Sequence, residues 1–152
     1  MKTPLVLGIG NPLLQDDRAG IEVIEKLQEL GAPCDTLEVY TVGFEIIDRC
    51  MGRDQVIVVD ACMLGNQPGS ILNVGIDDIF NSTSLANSHA ITLGATLKVG
   101  YELFPEKMPA DLRIILIEAK DVKEFSRQCS PEVCAAIDTV VKQIQEMVFE
   151  KS

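Results

Sequence analysis

The chain has 152 residues, of which 47% are hydrophobic, and carries a formal net charge of -10. That length predicts one domain spanning residues 1–152, which buries roughly two thirds of the surface its unfolded form exposes. So acidic a surface repels nucleic acid and anionic membrane, and excludes both as expected partners.

Apolar runs alternate with helical patterns along the whole length, which predicts helices on both faces of a mostly parallel sheet. The first run, Leu5 to Ile9, enters a glycine-rich turn and then delivers Asp16 and Asp17 to the start of a helix. That helix is expected from about Arg18 to Leu30, on the spacing of Ile21, Ile24, Leu27 and Leu30, and Gly31 and Pro33 stop it. A second strand over about residues 36–41 leads through Gly43 into a short helix to about Met51. The third strand, Gln55 to Asp60, is continuously apolar through Val56-Ile57-Val58-Val59, the pattern of a strand buried on both faces, and Asp60 is expected where it ends.

Turn chemistry over residues 65–69 precedes a short strand, expected at an edge, over residues 70–74. The stretch 81–88 is polar and predicts no element. A helix from about Ser88 to Phe104 carries Ile91, Leu93, Leu97 and Tyr101 among small residues, so it can lie close to the sheet. Another apolar strand, Leu112 to Ile117, is followed by Ser130-Pro131-Glu132, a strong helix start for a carboxyl-terminal helix striped with Val133, Ile137, Val140, Ile144 and Met147. No repeat or linker divides the chain.

The five cysteines are odd in number and form no Cys-x-x-Cys pair, which argues against a disulfide framework or a cysteine-based zinc site and points to the cytoplasm. Lys2 alone precedes the first apolar run, so no cleavable leader is expected, and no apolar stretch approaches membrane-spanning length.

His89 is the only histidine, which rules out the two-histidine zinc protease motif. Following Ser88, a plausible cap, it falls in the first turn of its helix, where the dipole favours a neutral, metal-binding imidazole. Read singly, each candidate has a bland alternative. His89 serves equally as a half-buried residue with one hydrogen bond, Asp60 as a turn residue, and Asp17 or Asp16 as a helix cap; with Asp17 taken as a ligand, Asp16 is a cap or a support. Together, Asp17, Asp60 and His89 share one edge of a parallel sheet and form a mixed oxygen and nitrogen site for a borderline divalent ion such as nickel or zinc. Cys62 as a nucleophile beside His89 is weaker, because a buried inert thiol is commoner. Gly8 and Gly10 lack the company of a phosphate loop, and are expected to permit a tight turn and close helix approach.

Four segments carry a family resemblance: residues 8–17 (Gly-Ile-Gly-Asn-Pro-Leu-Leu-Gln-Asp-Asp), 58–61 (Val-Val-Asp-Ala), 88–94 (Ser-His-Ala-Ile-Thr-Leu-Gly) and 129–133 (Cys-Ser-Pro-Glu-Val). In order and spacing they resemble the signatures of the nickel-iron hydrogenase maturation proteases, over nearly the full chain. The resemblance implies a three-layer α/β fold of phosphorylase/hydrolase-like type, with a twisted, mostly parallel five-stranded sheet between helices. It implies an endopeptidase that removes the carboxyl-terminal extension of a hydrogenase large-subunit precursor after nickel insertion. By motif, Asp17, Asp60 and His89 bind the metal, which is nickel supplied by the substrate; zinc or cadmium is able to take its place in vitro. Either Asp17 or Asp60 would activate water, or the metal would polarise the scissile carbonyl, and the sequence leaves these open.

Two features depart from the family. Some members have glutamate where Asp17 stands, and many have a Gly-Thr pair where this chain reads Tyr40-Thr41-Val42-Gly43-Phe44-Glu45. Two other functions fit the same residues: a non-catalytic, metal-dependent chaperone of the immature large subunit, and a self-contained zinc hydrolase of small amides or esters.

Overall fold

A computed structural model describes residues 3–151, with side chains to residue 148; Lys2 lies outside the described residues. The elements in chain order are β1 (Leu5–Ile9), a 3-10 turn (Asp16–Arg18), α1 (Ala19–Glu29), β2 (Asp35–Val39), α2 (Glu45–Cys50) and β3 (Gln55–Cys62). There follow β4 (Ile71–Val74), α3 (Ile76–Asn81), α4 (Thr83–Ala86), α5 (Ala90–Leu103), β5 (Asp111–Glu118) and α6 (Pro131–Lys151).

The five strands form one sheet in the order β2-β1-β3-β5-β4. All neighbours are parallel except β4, which pairs antiparallel with β5 at the edge. This is the expected α/β fold, and its central strands show why their sequences are apolar without alternation. Leu5, Leu7, Val56, Val58, Ile114 and Leu116 enter a core shared with α2, α3, α4 and α5. Their neighbours Val6, Ile57, Val59, Ile115 and Ile117 enter a second core with α1 and α6. Both faces are covered, so both sets of side chains are buried.

Because β2 and β3 flank β1 on opposite sides, the chain reverses its direction of travel across the sheet between β1 and β3. Such a switch point opens a crevice at the carboxyl ends of the strands, where the connecting segments diverge. Two glycines keep the turn after β1 tight and the following helix close to the sheet. A Cβ on Gly10 would collide with the Asp17 carbonyl, and one on Gly20 would sit 2.5 Å from the Ile9 oxygen and 2.6 Å from the Val59 oxygen. The expected close approach of helix to strand is therefore present, and Gly20 is the helix's half of it.

The structure differs from the sequence-based expectation at two places. Strand β3 does not end at Asp60 but runs on to Cys62, because β5 is as long and keeps pairing: Asp60 stands opposite Leu116, Ala61 opposite Ile117 and Cys62 opposite Glu118. Its other neighbour stops earlier, with Gly8 opposite Val59 as the last pair. Asp60 is thus inside the strand on one side and beyond the ladder on the other. The second difference is the stretch 81–88, which is not merely polar: α3 ends and α4 lies within it. The Asp78 carboxylate accepts the Gly75 N–H and the Ser82 hydroxyl accepts the Leu85 N–H, and Ile79 and Leu85 anchor the two short helices in the core. Local capping plus two buried side chains suffice where no long apolar period exists. All five cysteines are free.

Candidate active site at the carboxyl edge of the sheet

Asp17 reaches the crevice from the 3-10 turn after β1, Asp60 from β3, and His89 from the entrance to α5. The three line one cleft of about 460 Å³, together with Gly10, Tyr40 and Thr92. Neither aspartate is spent as a helix cap: no side chain caps the start of the 3-10 turn or of α1. The Asp17 carboxylate instead accepts the Asn11 N–H at 3.2 Å through Oδ2, across the glycine-rich turn.

Asp60 is almost completely buried, and its Oδ1 accepts the Ala61 N–H at 2.8 Å. Burial pushes its carboxyl up to about 8; the bond from Ala61 opposes this, and repulsion from Asp17 adds to it. In each carboxylate the second oxygen makes no hydrogen bond among the described residues.

His89 is exposed, and its ring makes no hydrogen bond or ion pair among the described residues. The bland reading of a half-buried histidine with a partner is therefore not what the structure shows. Its backbone is already helical, and the preceding Ser88 hydroxyl donates to the Leu85 carbonyl at 2.7 Å and accepts the Ala90 N–H at 3.2 Å. Ser88 thus fastens the α4–α5 turn that presents the ring. Among the described residues no group of three His, Cys, Asp or Glu side chains is already closed up as a metal cage. The donor types nonetheless fit a borderline divalent ion: two carboxylates, each with a free oxygen, and one unengaged imidazole, all on one cleft wall.

Two buried carboxylates stand behind this wall as supports, one of them left open between cap and support by the sequence and the other missed by it. Asp16 is completely buried and accepts four hydrogen bonds: from the Lys120 and Asp121 N–H groups at 2.7 and 3.2 Å, and from the Ser130 N–H and hydroxyl at 2.7 and 2.9 Å. It is a support and not a cap, tying the 3-10 turn to the segment after β5. The neighbouring backbone joins in, with Gln15 N–H donating to Glu124 and Ser126 N–H to Leu13. Glu118 is the second. Its carboxylate accepts the Leu64 N–H through both oxygens, at 3.2 and 2.9 Å, and lies 3.8 Å from the Cys62 thiol. Burial first, then the Glu118 and Asp60 carboxylates, push that thiol up to about 12, so Cys62 is an inert thiol and not a nucleophile. The signal for Glu118 was available, since it closes the apolar run of β5 as Asp60 follows that of β3.

A second hollow, of about 340 Å³, shares Asp17, Ser88 and His89 with the first and continues past them toward Met63 and Val122. A larger one, of about 790 Å³, lies at the other end of the sheet, by Asp78, Lys98, Tyr101 and Leu112, and contains none of the three candidates.

The fold and this crevice define an α/β protein with acid-rich chemistry at its topological switch point. The chain belongs to the hydrogenase maturation protease family, whose model matches residues 21–147. It is 35% identical over 145 residues to the hydrogenase 2 maturation protease of Escherichia coli K12, covering 92% of this chain and 87% of that one. The solved [NiFe] hydrogenase maturation protease HybD from Thermococcus kodakarensis superposes with a TM-score of 0.79 at 25% identity, covering 97% of this chain and 99% of the other. The HybD endopeptidase of Escherichia coli shares the fold, with a TM-score of 0.79 at 23% identity over 99% of this chain and 94% of its own. The protein is a protease. Among the described residues no helix is long and apolar enough to cross a membrane.

Proposed function

We propose that this protease removes the carboxyl-terminal extension of a nickel-iron hydrogenase large-subunit precursor, and that it recognises the nickel already bound in that substrate through Asp17, Asp60 and His89. The observation that carries the reading is the cleft into which the 3-10 turn after β1, strand β3 and the entrance to α5 bring these three side chains. Three donors from three different segments, not closed into a cage, leave coordination positions for the ligands that a substrate metal brings with it. A precursor without metal then lacks the contact that aligns its peptide, so recognition doubles as a check on metal insertion.

Hydrolysis requires that water attack the scissile carbonyl carbon, that a base take the water's proton, and that the leaving amine receive one. Asp17 and Asp60 are the carboxylates placed to hold that proton. Asp17 lines the cleft with one oxygen free among the described residues, while Asp60 is nearly fully buried, where a bound proton is favoured. The substrate's nickel supplies Lewis-acid polarisation where it meets the carbonyl oxygen. His89, exposed and without a partner among the described residues, contributes a nitrogen donor at low cost in reorganisation.

The test is incubation of purified nickel-loaded and nickel-free precursor with the protein, followed by mass spectrometry. Loss of a carboxyl-terminal peptide from the loaded form alone is the expected result. An intact mass in a stable complex would instead make the protein a chaperone for the same substrate, and equal cleavage of both forms would remove nickel from the recognition step.

A further inference from the structure

The hollow of about 790 Å³ takes no part in the proposed hydrolysis, and no residue lines both it and the cleft. It lies at the far end of α5. From His89 to Tyr101 is twelve residues of helix, about 18 Å, and Leu112 stands four positions before Leu116, the residue opposite Asp60, about 13 Å along the sheet. Its apolar lining comes from Ile76 at the start of α3, Met108 after α5 and Leu112 in β5, all buried or half-buried. The wall after α5 is preformed. The Tyr101 hydroxyl donates to the Pro109 carbonyl at 2.5 Å, the Met108 N–H to the Phe104 carbonyl and the Gly52 N–H to the Lys107 carbonyl. A methyl on Gly100 would come within 2.8 Å of the Met108 side chain, so the bare backbone there lets Met108 pack against α5.

Around this apolar lining stand three exposed carboxylates, Asp77, Asp78 and Glu106, against one cation, Lys98. The Lys98 ammonium sits over the Phe80 ring, 4.8 Å from its centroid, and makes no ion pair with them among the described residues. Asp78 gives one oxygen to the Gly75 N–H, while Asp77 and Glu106 make no hydrogen bond or ion pair among the described residues. We propose that this hollow docks a basic, apolar peptide segment of a partner protein other than the substrate, which sits there while the cleft is occupied. Leucine or isoleucine side chains of such a segment meet Ile76, Met108 and Leu112. Arginine or lysine between them lays its stem on the same surface and carries its charge to the carboxylates at the rim. A second copy of this chain fits poorly, because each copy carries a net charge of -10 and would bring like charge to an acidic rim. The separation from the cleft is what sets this partner apart from the substrate.

The experiment titrates the full, methyl-labelled chain by NMR with three acetylated and amidated peptides: Leu-Arg-Ile-Arg-Gly, Leu-Glu-Ile-Glu-Gly and Gly-Arg-Gly-Arg-Gly. The first is expected to shift the methyls of Ile76, Met108 and Leu112, and to bind roughly tenfold more tightly than either of the others, which lack the charge or the apolar side chains. Asp77→Asn combined with Glu106→Gln should weaken it about fivefold and flatten its salt dependence. Both residues are exposed, so the exchange does not disturb the core. Equal affinities for the three peptides, shifts confined to Thr41 and Val42 at the cleft, no shifts at all, or an unchanged affinity in the double variant overturn the proposal. A dimer in sedimentation that the basic peptide dissociates would make a second copy the occupant, and overturns it too. A second arm compares cleavage of nickel-loaded precursor by the parent and the double variant, with equal KM expected. A raised KM in the variant would give the hollow to the substrate and overturn the separate partner. Failure of both proteins to cut overturns the protease reading alone, and the titration then decides what docks in the hollow.

Discussion

Asp16 and Ser130 meet across 114 residues of sequence, and the Ser130 N–H and hydroxyl both donate to the buried Asp16 carboxylate, at 2.7 and 2.9 Å. Ser130 stands immediately before α6, so the contact fixes the entry of that helix against the turn that carries Asp17. The next residue in sequence therefore inherits its position from a bond that involves none of the reacting groups.

Replacing Asp16 by Ala leaves four donors without their acceptor, two of them buried at Ser130 and two part-buried in the loop after β5. A cost of about 3 kcal/mol or more in urea-induced unfolding is expected. Ser130→Ala removes one donor and should cost about 1 kcal/mol. Because both changes break the same network, the double variant should be less destabilised than the sum of the two. Additive losses would show that Asp16 and Ser130 act independently.

Gly20→Ala should be costly for a residue that looks interchangeable in a helix. The new methyl would meet the Ile9 and Val59 carbonyl oxygens at 2.5 and 2.6 Å, both part of the strand backbone of the sheet, so α1 itself must move away. Overpacking of this kind costs about 3 kcal/mol, which for a chain of this size lowers Tm by about 10 °C. A calorimetric scan with no change in Tm would mean that α1 shifts freely.

Asp60 makes stability depend on pH in the direction opposite to a salt-bridged carboxylate. Its folded-state value of about 8 lies above the ordinary carboxylate value, so between roughly pH 4 and 8 the folded protein holds a proton that the unfolded chain has released. This contribution is fully present below about pH 4 and is lost as pH rises through 8. Asp60→Asn keeps the shape without the charge. It should match the parent near pH 4 and exceed it by a few kcal/mol at pH 8, since each tenfold difference in proton affinity between the folded and unfolded chain is worth about 1.4 kcal/mol. Denaturation curves for the two proteins at both pH values measure the gap, and a gap that widens toward acid would reverse the assignment.

The parts of this molecule that can be read from one segment were legible in the sequence. Strands β1, β3 and β5 announce themselves as apolar runs because both faces of the sheet are covered. The convergence of Asp17, Asp60 and His89 on one edge follows from their places after strands and before a helix, and the structure puts them on one cleft. What was not legible depends on distant partners. The end of β3 is set by the length of β5, the role of Asp16 by residues 104 to 114 positions away, and that of Glu118 by Leu64 across the sheet edge. The short helices α3 and α4 are held by single caps and by Ile79 and Leu85, a signal too brief to stand out from a loop by periodicity.

His89→Ala separates stability from function most cleanly. The ring is exposed and unbonded among the described residues, while the turn beneath it is secured by the Ser88 hydroxyl and by backbone bonds. Removing the imidazole therefore strands no buried group, and Tm should stay within about 1–2 °C of the parent. Activity should respond differently. With one of three donors gone, the nickel-loaded precursor is held less firmly and its scissile bond is no longer aligned, so kcat/KM should fall by about 100-fold or more. Time courses resolved by mass spectrometry, run beside a thermal scan, give both numbers from one preparation. Cleavage at the parental rate by a well-folded His89→Ala protein would remove His89 from recognition and leave the two aspartates to account for the site alone.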